Sequence, residues 1–377
     1  MITNPFIYLF ILSFIATGFY VLESKTKFKI FTLIPGVVMI YASSMVLASF
    51  NLFEMNDEIN EIYKRVKSNL LPAMLFLMLL QIDFRHFLKL GKSLLISYVL
   101  AVFSIAFSFI VVAFIFDFSP EISGAFGALA GSWMGGTANM VAVGSALEVS
   151  EASFAYALVV DSVNYTLWVM LLLFLVPFAH IFNRFTKSEQ NLEYLGEIGC
   201  SCTIGAKRYW LFILLSLVVA FIVNLIALSE FKILNSTTTA VLLATLLGIL
   251  GSFTKLKEIN GSSEVATTML YLLIALIGSK AVIDNFSGIG IYVFAGFMIL
   301  SLHALIMIIG AKLFKLDLFS IAVASLSNIG GVASAPILAA AYNKSLVSIG
   351  VLMAIMGYLI GTFGGLGVGT ILIRMAQ

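Results

Sequence analysis

The feature that most restricts this chain is a succession of about a dozen apolar runs separated by short polar loops, most of them close to the roughly 20 residues a membrane-crossing helix needs. They lie near 5–22, 29–50, 69–82, 93–116, 121–147, 152–182, 209–229, 236–252, 265–283, 288–312, 318–342 and 345–374. A membrane β-barrel would alternate polarity over segments of about ten residues. These runs are continuous, so the predicted fold is all-α and polytopic, with about 11–13 transmembrane helices. Composition agrees, since 61% of the 377 residues are hydrophobic and 11% charged, against roughly a quarter charged in a soluble domain. Lys and Arg number 21 and Asp and Glu 19, a balance with no basic surplus for nucleic acid. The opening Met1-Ile2-Thr3-Asn4-Pro5 has no basic n-region, so the first run is read as a retained helix.

Two polar stretches interrupt the runs. Residues 51–68 carry Glu54, Asp57, Glu58, Glu61, Lys64, Arg65 and Lys67 and are expected to form a short surface helix. Residues 183–208 form the longest polar segment and are expected to link an N-terminal repeat, 1–182, to a C-terminal repeat, 209–377. Cys200 and Cys202 lie within this linker. They are too close for an ordinary disulfide and too few for a structural zinc site, so no transition-metal site and no cofactor are expected.

The repeat rests on a shared motif. Residues 132–138 read Ser-Trp-Met-Gly-Gly-Thr-Ala and residues 327–333 read Ser-Asn-Ile-Gly-Gly-Val-Ala. The offset of 195, Gly330 against Gly135, also carries 69–82, 93–116 and 152–182 onto later apolar runs. Loop charge swaps sides between the halves. Asp83, Arg85, Lys89 and Lys92 precede 93–116, which Asp117 and Glu121 follow, whereas Lys280 and Asp284 precede 288–312, which Lys312, Lys315 and Asp317 follow. Because Lys and Arg favour cytoplasmic loops, the swap predicts repeats inverted across the membrane. Six helix steps separate the motifs and inversion needs an odd number, so either a segment is miscounted or one does not cross.

Gly-Gly in mid-helix costs about 2 kcal/mol of propensity relative to Ala-Ala, and Pro336 removes a further backbone donor from the second segment. Irregular backbone inside a membrane survives only where protein or a cavity surrounds it, and paired breaks point to a transporter's binding site. The expected solute-binding residues are therefore Ser132, Gly135, Gly136, Ser327, Asn328, Gly330, Gly331 and Ser334. Asp161 is the one acidic residue set deep in an apolar run, with Asn164 on the same helix face. Together with Asn139 and Thr137 they are the expected ion ligands, with His303 and Lys280 as charge partners. The bland reading of glycines in such helices is close packing, which suits Gly357, Gly361 and Gly365 on one face of the last run.

Leu71-Pro72-Ala73-Met74-Leu75-Phe76-Leu77 leading to Gln81-Ile82-Asp83-Phe84-Arg85, and an Asp-bearing helix after the first break, resemble the superfamily of bile acid–sodium symporters and sodium–proton antiporters. The runs 131–139 and 326–336 resemble more closely the domain-of-unknown-function 819 family. The resemblance implies a panel domain and a core domain with crossed broken helices. Such antiporters often carry two adjacent acids, or Asn-Asp, where this chain has Val160-Asp161, which favours solute uptake over proton exchange. The expected activity is Na⁺- or H⁺-coupled symport of a small organic anion, namely a carboxylate, amino acid or small peptide, by alternating access. Sodium–proton antiport and a non-transport scaffold are the alternatives. An enzyme is not expected: His86, His180 and His303 form no His-Glu-x-x-His, and no Gly-x-Ser-x-Gly or phosphate-binding loop occurs. The expected partners are the bilayer and a small anionic solute, with a homodimer left open, in a bacterial-type inner membrane.

Overall fold

The structure, a computed structural model, describes residues 1–25, 36–80, 90–188, 205–228, 235–258, 261–280, 288–343 and 346–377. Among these residues the chain is helical, apart from loops and a lone β-bridge between Ile2 and Phe53. Cys200, Cys202, His86, most of the 183–208 linker, and Asp83, Arg85, Lys89 and Asp284 of the charge swap lie outside the described residues. Among the described residues, six helical stretches are long and apolar enough to cross a membrane: Pro5–Glu23, Lys92–Phe116, Glu151–Thr186, Ala206–Ala227, Ile289–Phe314 and Val347–Met375. Four other apolar helices are shorter, at 10–17 residues. Large side chains such as Phe10, Phe14, Phe103, Phe114 and Phe221 are exposed on the long helices, as expected where the surrounding solvent is hydrocarbon. This is an integral membrane protein.

The chain divides into two compact units, and each draws segments from both sides of 183–208. The first comprises Met1–Gln81, Glu148–Ser162 and Cys202–Ile289. It holds α1 (Pro5–Lys25), α2 (Gly36–Ser49), α3 (Asp57–Leu79), α9 (Ala206–Ala227), α10 (Ser236–Ser252), α11 (Ser262–Gly278) and the opening turns of α7 (Glu151–Leu175). The second comprises Ile82–Leu147, Val163–Ser201 and Gly290–Gln377. It holds α4 (Lys92–Phe116), α5 (Pro120–Gly135), α6 (Thr137–Ala146), the rest of α7, α8 (Ala179–Thr186), α12 (Ile289–Phe314), α13 (Leu318–Ile329), α14 (Gly331–Tyr342) and α15 (Val347–Met375).

In the first unit, the polar stretch 51–68 proves not to be a separate surface helix. The Asn56 side chain accepts from the Ile59 amide, Asp57 and Glu58 follow in the first turn, and one helix runs from Asp57 to Leu79. From Leu71 onward every residue of α3 is buried. Pro72 does not break it, because the Ser68 carbonyl that proline leaves without an amide donor accepts instead from Asn224 Nδ2 of α9 at 3.0 Å. Gly248 and Gly251 of α10 let that helix approach the same face, where an added Cβ would meet Phe76, Leu79 and Leu80.

In the second unit the packing of α5 on α15 is glycine against glycine. A Cβ on Gly127 would stand 2.5 Å from Gly369 Cα, and one on Gly365 would stand 2.6 Å from Gly131 Cα. Small residues at spacings of four bring two backbones together, the usual way helices associate where lipid is as apolar as leucine. Every residue of α13 is buried, so this helix lies inside the unit, surrounded by protein.

Candidate functional site

The first interruption lies between α5 and α6. Ser119 caps α5 with Pro120 behind it, and the helix ends where Gly136 adopts φ 88° and ψ 174°, backbone that L side chains seldom adopt. Gly135 is required for a different reason, because a Cβ there would lie 2.3 Å from the Gly357 carbonyl oxygen and 2.1 Å from Asn139 Nδ2. Asn139 donates to the Gly135 carbonyl at 2.7 Å and accepts from Thr362 Oγ1 at 2.6 Å. Both ends of its amide are engaged, so it fastens the interruption to α15. Ser132 is buried and Thr137 half-buried beside it.

The second interruption lies between α13 and α14. Asp317 caps α13, accepting from the Ser320 amide at 2.9 Å and its hydroxyl at 2.6 Å. The helix closes with the Gly330 amide donating to the Leu326 carbonyl at 2.8 Å, and Gly331 takes φ 59°. Gly330 has no room for a side chain, since a Cβ would fall 1.9 Å from Ser334 Oγ and 2.7 Å from the Tyr165 ring. Asn328 donates to the Ala324 carbonyl at 2.9 Å. Its Oδ1, however, is buried without a hydrogen-bond partner, and so are the hydroxyls of Ser327 and Ser334. Leaving a buried polar group unmatched costs about 1–3 kcal/mol. The three oxygens fall within eight residues, at the α13–α14 interruption. All three can coordinate a hard cation, and none carries charge.

The two interruptions therefore differ. At the first, the amide is satisfied and one glycine serves packing; at the second, oxygens are left open. Sequence treats the motifs alike because Ser-x-x-Gly-Gly-x-Ala is common to both, and the contrast arises from Thr362 and Gly357, which no local pattern pairs with Asn139.

The remaining expected ligands are placed as follows. Asp161 is partly buried in the α7 segment of the first unit, whereas Asn164 belongs to the α7 segment of the second, fully buried and donating to the Val293 carbonyl of α12 at 3.1 Å. His303 lies on α12 with Ser104 Oγ of α4 at 2.6 Å from Nδ1 and Ser325 Oγ of α13 at 2.8 Å from Nε2. Trp168 Nε1 donates to the same Ser325 hydroxyl at 2.9 Å. Hydroxyls, not a carboxylate, flank the ring.

Lys280 joins a group that sequence patterns do not reveal. Its ammonium stands 4.3 Å over the Tyr63 ring. The Tyr63 hydroxyl donates to Glu151 Oε1 at 2.8 Å, that of Tyr41 donates to the Glu151 carbonyl at 2.8 Å, and Lys67 lies 3.8 Å from the carboxylate. Burial holds the Lys67 ammonium below its ordinary range, and Glu151 opposes that shift. The one available signal is Tyr63 and Lys67 four apart on α3, one turn before its fully apolar end.

The chain is similar to the "Uncharacterized membrane protein YjcL" of Bacillus subtilis (strain 168), 24% identical over 369 residues that cover 90% of each protein. The profile of the family described as "Protein of unknown function (DUF819)" matches residues 9–375. With nearly its whole length matched, and with helices that suit a membrane, the chain belongs to the DUF819 family.

Proposed function

We propose that this protein is a secondary active transporter that binds a cation at the α13–α14 interruption and couples it to symport of a small organic anion by alternating access. The observation that carries the reading is the set of three buried, unmatched oxygens on Ser327, Asn328 and Ser334. Interrupted helices in transporters supply ion ligands from freed backbone and neighbouring side chains. The anionic solute is supported by the starts of α6 and α14, which have no side-chain cap, so their first amides and helix dipoles favour negative charge. The two halves act as inverted repeats in this reading, within a bacterial cell membrane, as the Bacillus relative suggests. Sodium–proton antiport is the second reading, and the partly buried Asp161 favours it.

Melting of the detergent-purified protein in NaCl against choline chloride tests the ion site. Sodium should stabilise the wild type saturably, by about 2.7 kcal/mol at a hundred times its Kd. Ser334→Ala removes an unmatched hydroxyl, so in choline it should melt no lower than wild type, while its gain in sodium should shrink. An equal sodium gain in wild type and Ser334→Ala would remove the α13–α14 site from the proposal. Loss of the gain in Asp161→Asn as well would make that carboxylate part of the coupling.

A further inference from the structure

The short helix α8 has two faces of opposite chemistry. Phe178, on the 3₁₀ turn before it, and then Ile181, Phe182 and Phe185 recur at helical spacing and line an apolar cavity of about 540 Å³ within the second unit. Leu172 of α7 and Met307 of α12 complete its walls. His180, Asn183, Arg184 and Lys187 repeat the same spacing two residues on and line a separate polar recess. The C-terminal half of α8 is held in place by two neighbouring helices. Asn183 Oδ1 accepts from the Leu318 amide at the start of α13 at 2.9 Å. The Lys312 ammonium of α12 donates to the Phe185 carbonyl and stands 4.4 Å over the Phe185 ring.

Two facts bear on what fills the cavity. Leu171, Phe178, Ile181 and Ile308 at its edge are exposed, so it opens sideways onto the surface that faces hydrocarbon. Among the described residues, no ion pair involves Arg184, Lys187, Lys312 or Lys315. Helix dipoles favour Arg184 in the last turn of α8 and Lys312 in the last turn of α12, but do not by themselves bring Lys312 onto α8, where it meets Phe185. An apolar slot reached through the bilayer, with cations across one amphipathic helix that have no carboxylate partner among the described residues, fits a molecule with a tail and an anionic head.

We propose that α8 and the adjoining ends of α7, α12 and α13 form a binding site for an anionic phospholipid of the surrounding membrane. One acyl chain lies in the apolar cavity. The phosphate is held across α8 by Arg184 and Lys187, with Lys312 as the third cation. The site is independent of the transport reading.

Native mass spectrometry of the full chain, titrated with phosphatidylglycerol or phosphatidylcholine of identical chains, tests it. Wild type should prefer phosphatidylglycerol, and Arg184→Gln with Lys187→Gln should weaken that lipid about fivefold for each charge removed, leaving phosphatidylcholine unchanged. Ala304→Trp, which fills the cavity, should weaken both lipids. Both glutamine substitutions fall on exposed side chains, so the charge test stands even where the tryptophan variant does not fold. Equal affinity for the two lipids in wild type overturns the proposal, as does a preference that survives the glutamine pair. Displacement of phosphatidylglycerol by soluble glycerol phosphate at millimolar concentration would equally overturn it, by assigning the cations to a free phosphate.

Discussion

Gly361→Val should leave little folded protein, whereas Gly367→Ala on the same helix should melt with the wild type or slightly above it. At Gly361 a Cβ alone would stand 2.7 Å from Gly135 Cα, 2.7 Å from Asn139 Nδ2 and 2.8 Å from Asn139 Cγ. The first of these is backbone, which cannot rotate away, and the other two belong to an amide fastened to Thr362. Overpacking a tight core costs about 1–3 kcal/mol and sometimes more; two further methyls against backbone place Gly361→Val at more than about 3 kcal/mol. Gly367 has nothing within 4 Å of its would-be Cβ, so alanine there gains up to about 1 kcal/mol of helix propensity. Thermal melts in detergent, with membrane yield as a second readout, separate the two. Equal melting would mean that α5 and α15 are not held backbone to backbone.

The second large effect is expected at His303. Its ring ties α4, α12 and α13 together through Ser104 and Ser325, and Trp168 extends the chain of hydrogen bonds to α7. His303→Ala removes both bonds and opens a hole beside the Trp168 ring, whose centroid lies 5.6 Å away. Truncating large buried side chains costs about 2–5 kcal/mol, and hydrogen bonds between membrane helices add about 0.6 kcal/mol each. The alanine variant should therefore lose about 3–5 kcal/mol. His303→Leu keeps most of the volume and loses only the bonds; Ser104 retains its bond to the Ala101 carbonyl and Ser325 retains the one from Trp168. It should lose about 1–2 kcal/mol. Unfolding titrations in sodium dodecyl sulfate measure both, and a leucine variant as unstable as alanine would show that polarity, not volume, makes this network matter.

How much of the fold is readable from sequence follows from which forces act locally. The helical class and the apolar spans come from hydrophobic runs, and capping residues such as Asn56 and Asp317 mark true helix starts. Polarity misleads at 51–68. Charges along one face of an amphipathic helix look like a separate surface helix until Ile59 and Tyr63, both buried, are seen to continue the apolar face into Leu71. The glycines show a second limit. Gly357, Gly361 and Gly365 are legible as a packing face, and their partners Gly135 and Gly131 stand at the same spacing on α5. Yet Gly135 stands in a Gly-Gly pair, which by sequence alone points to a binding site, whereas in the structure it admits α15. For Ser327, Asn328 and Ser334 the residue types are visible in the motif. That their oxygens are unmatched is not, because it depends on which neighbours fail to arrive. His303 and Lys280 are visible as rare polar groups in apolar segments, but their partners, Ser104 and Tyr63, are distant in sequence.

Passage of a cation through the α13–α14 interruption would be seen as isotopic flux into proteoliposomes. Purified wild type and the Ser327→Ala, Ser334→Ala double variant would be reconstituted, given a pool of carboxylic and amino acids, and followed for ²²Na⁺ uptake under an inward sodium gradient, with a proton gradient as the parallel arm. Wild type should show saturable uptake above empty vesicles and the variant a loss of about tenfold, the effect of removing about 1.4 kcal/mol of ion binding. Uptake no greater than that of empty vesicles under either gradient, or equal uptake in the variant, would contradict such passage.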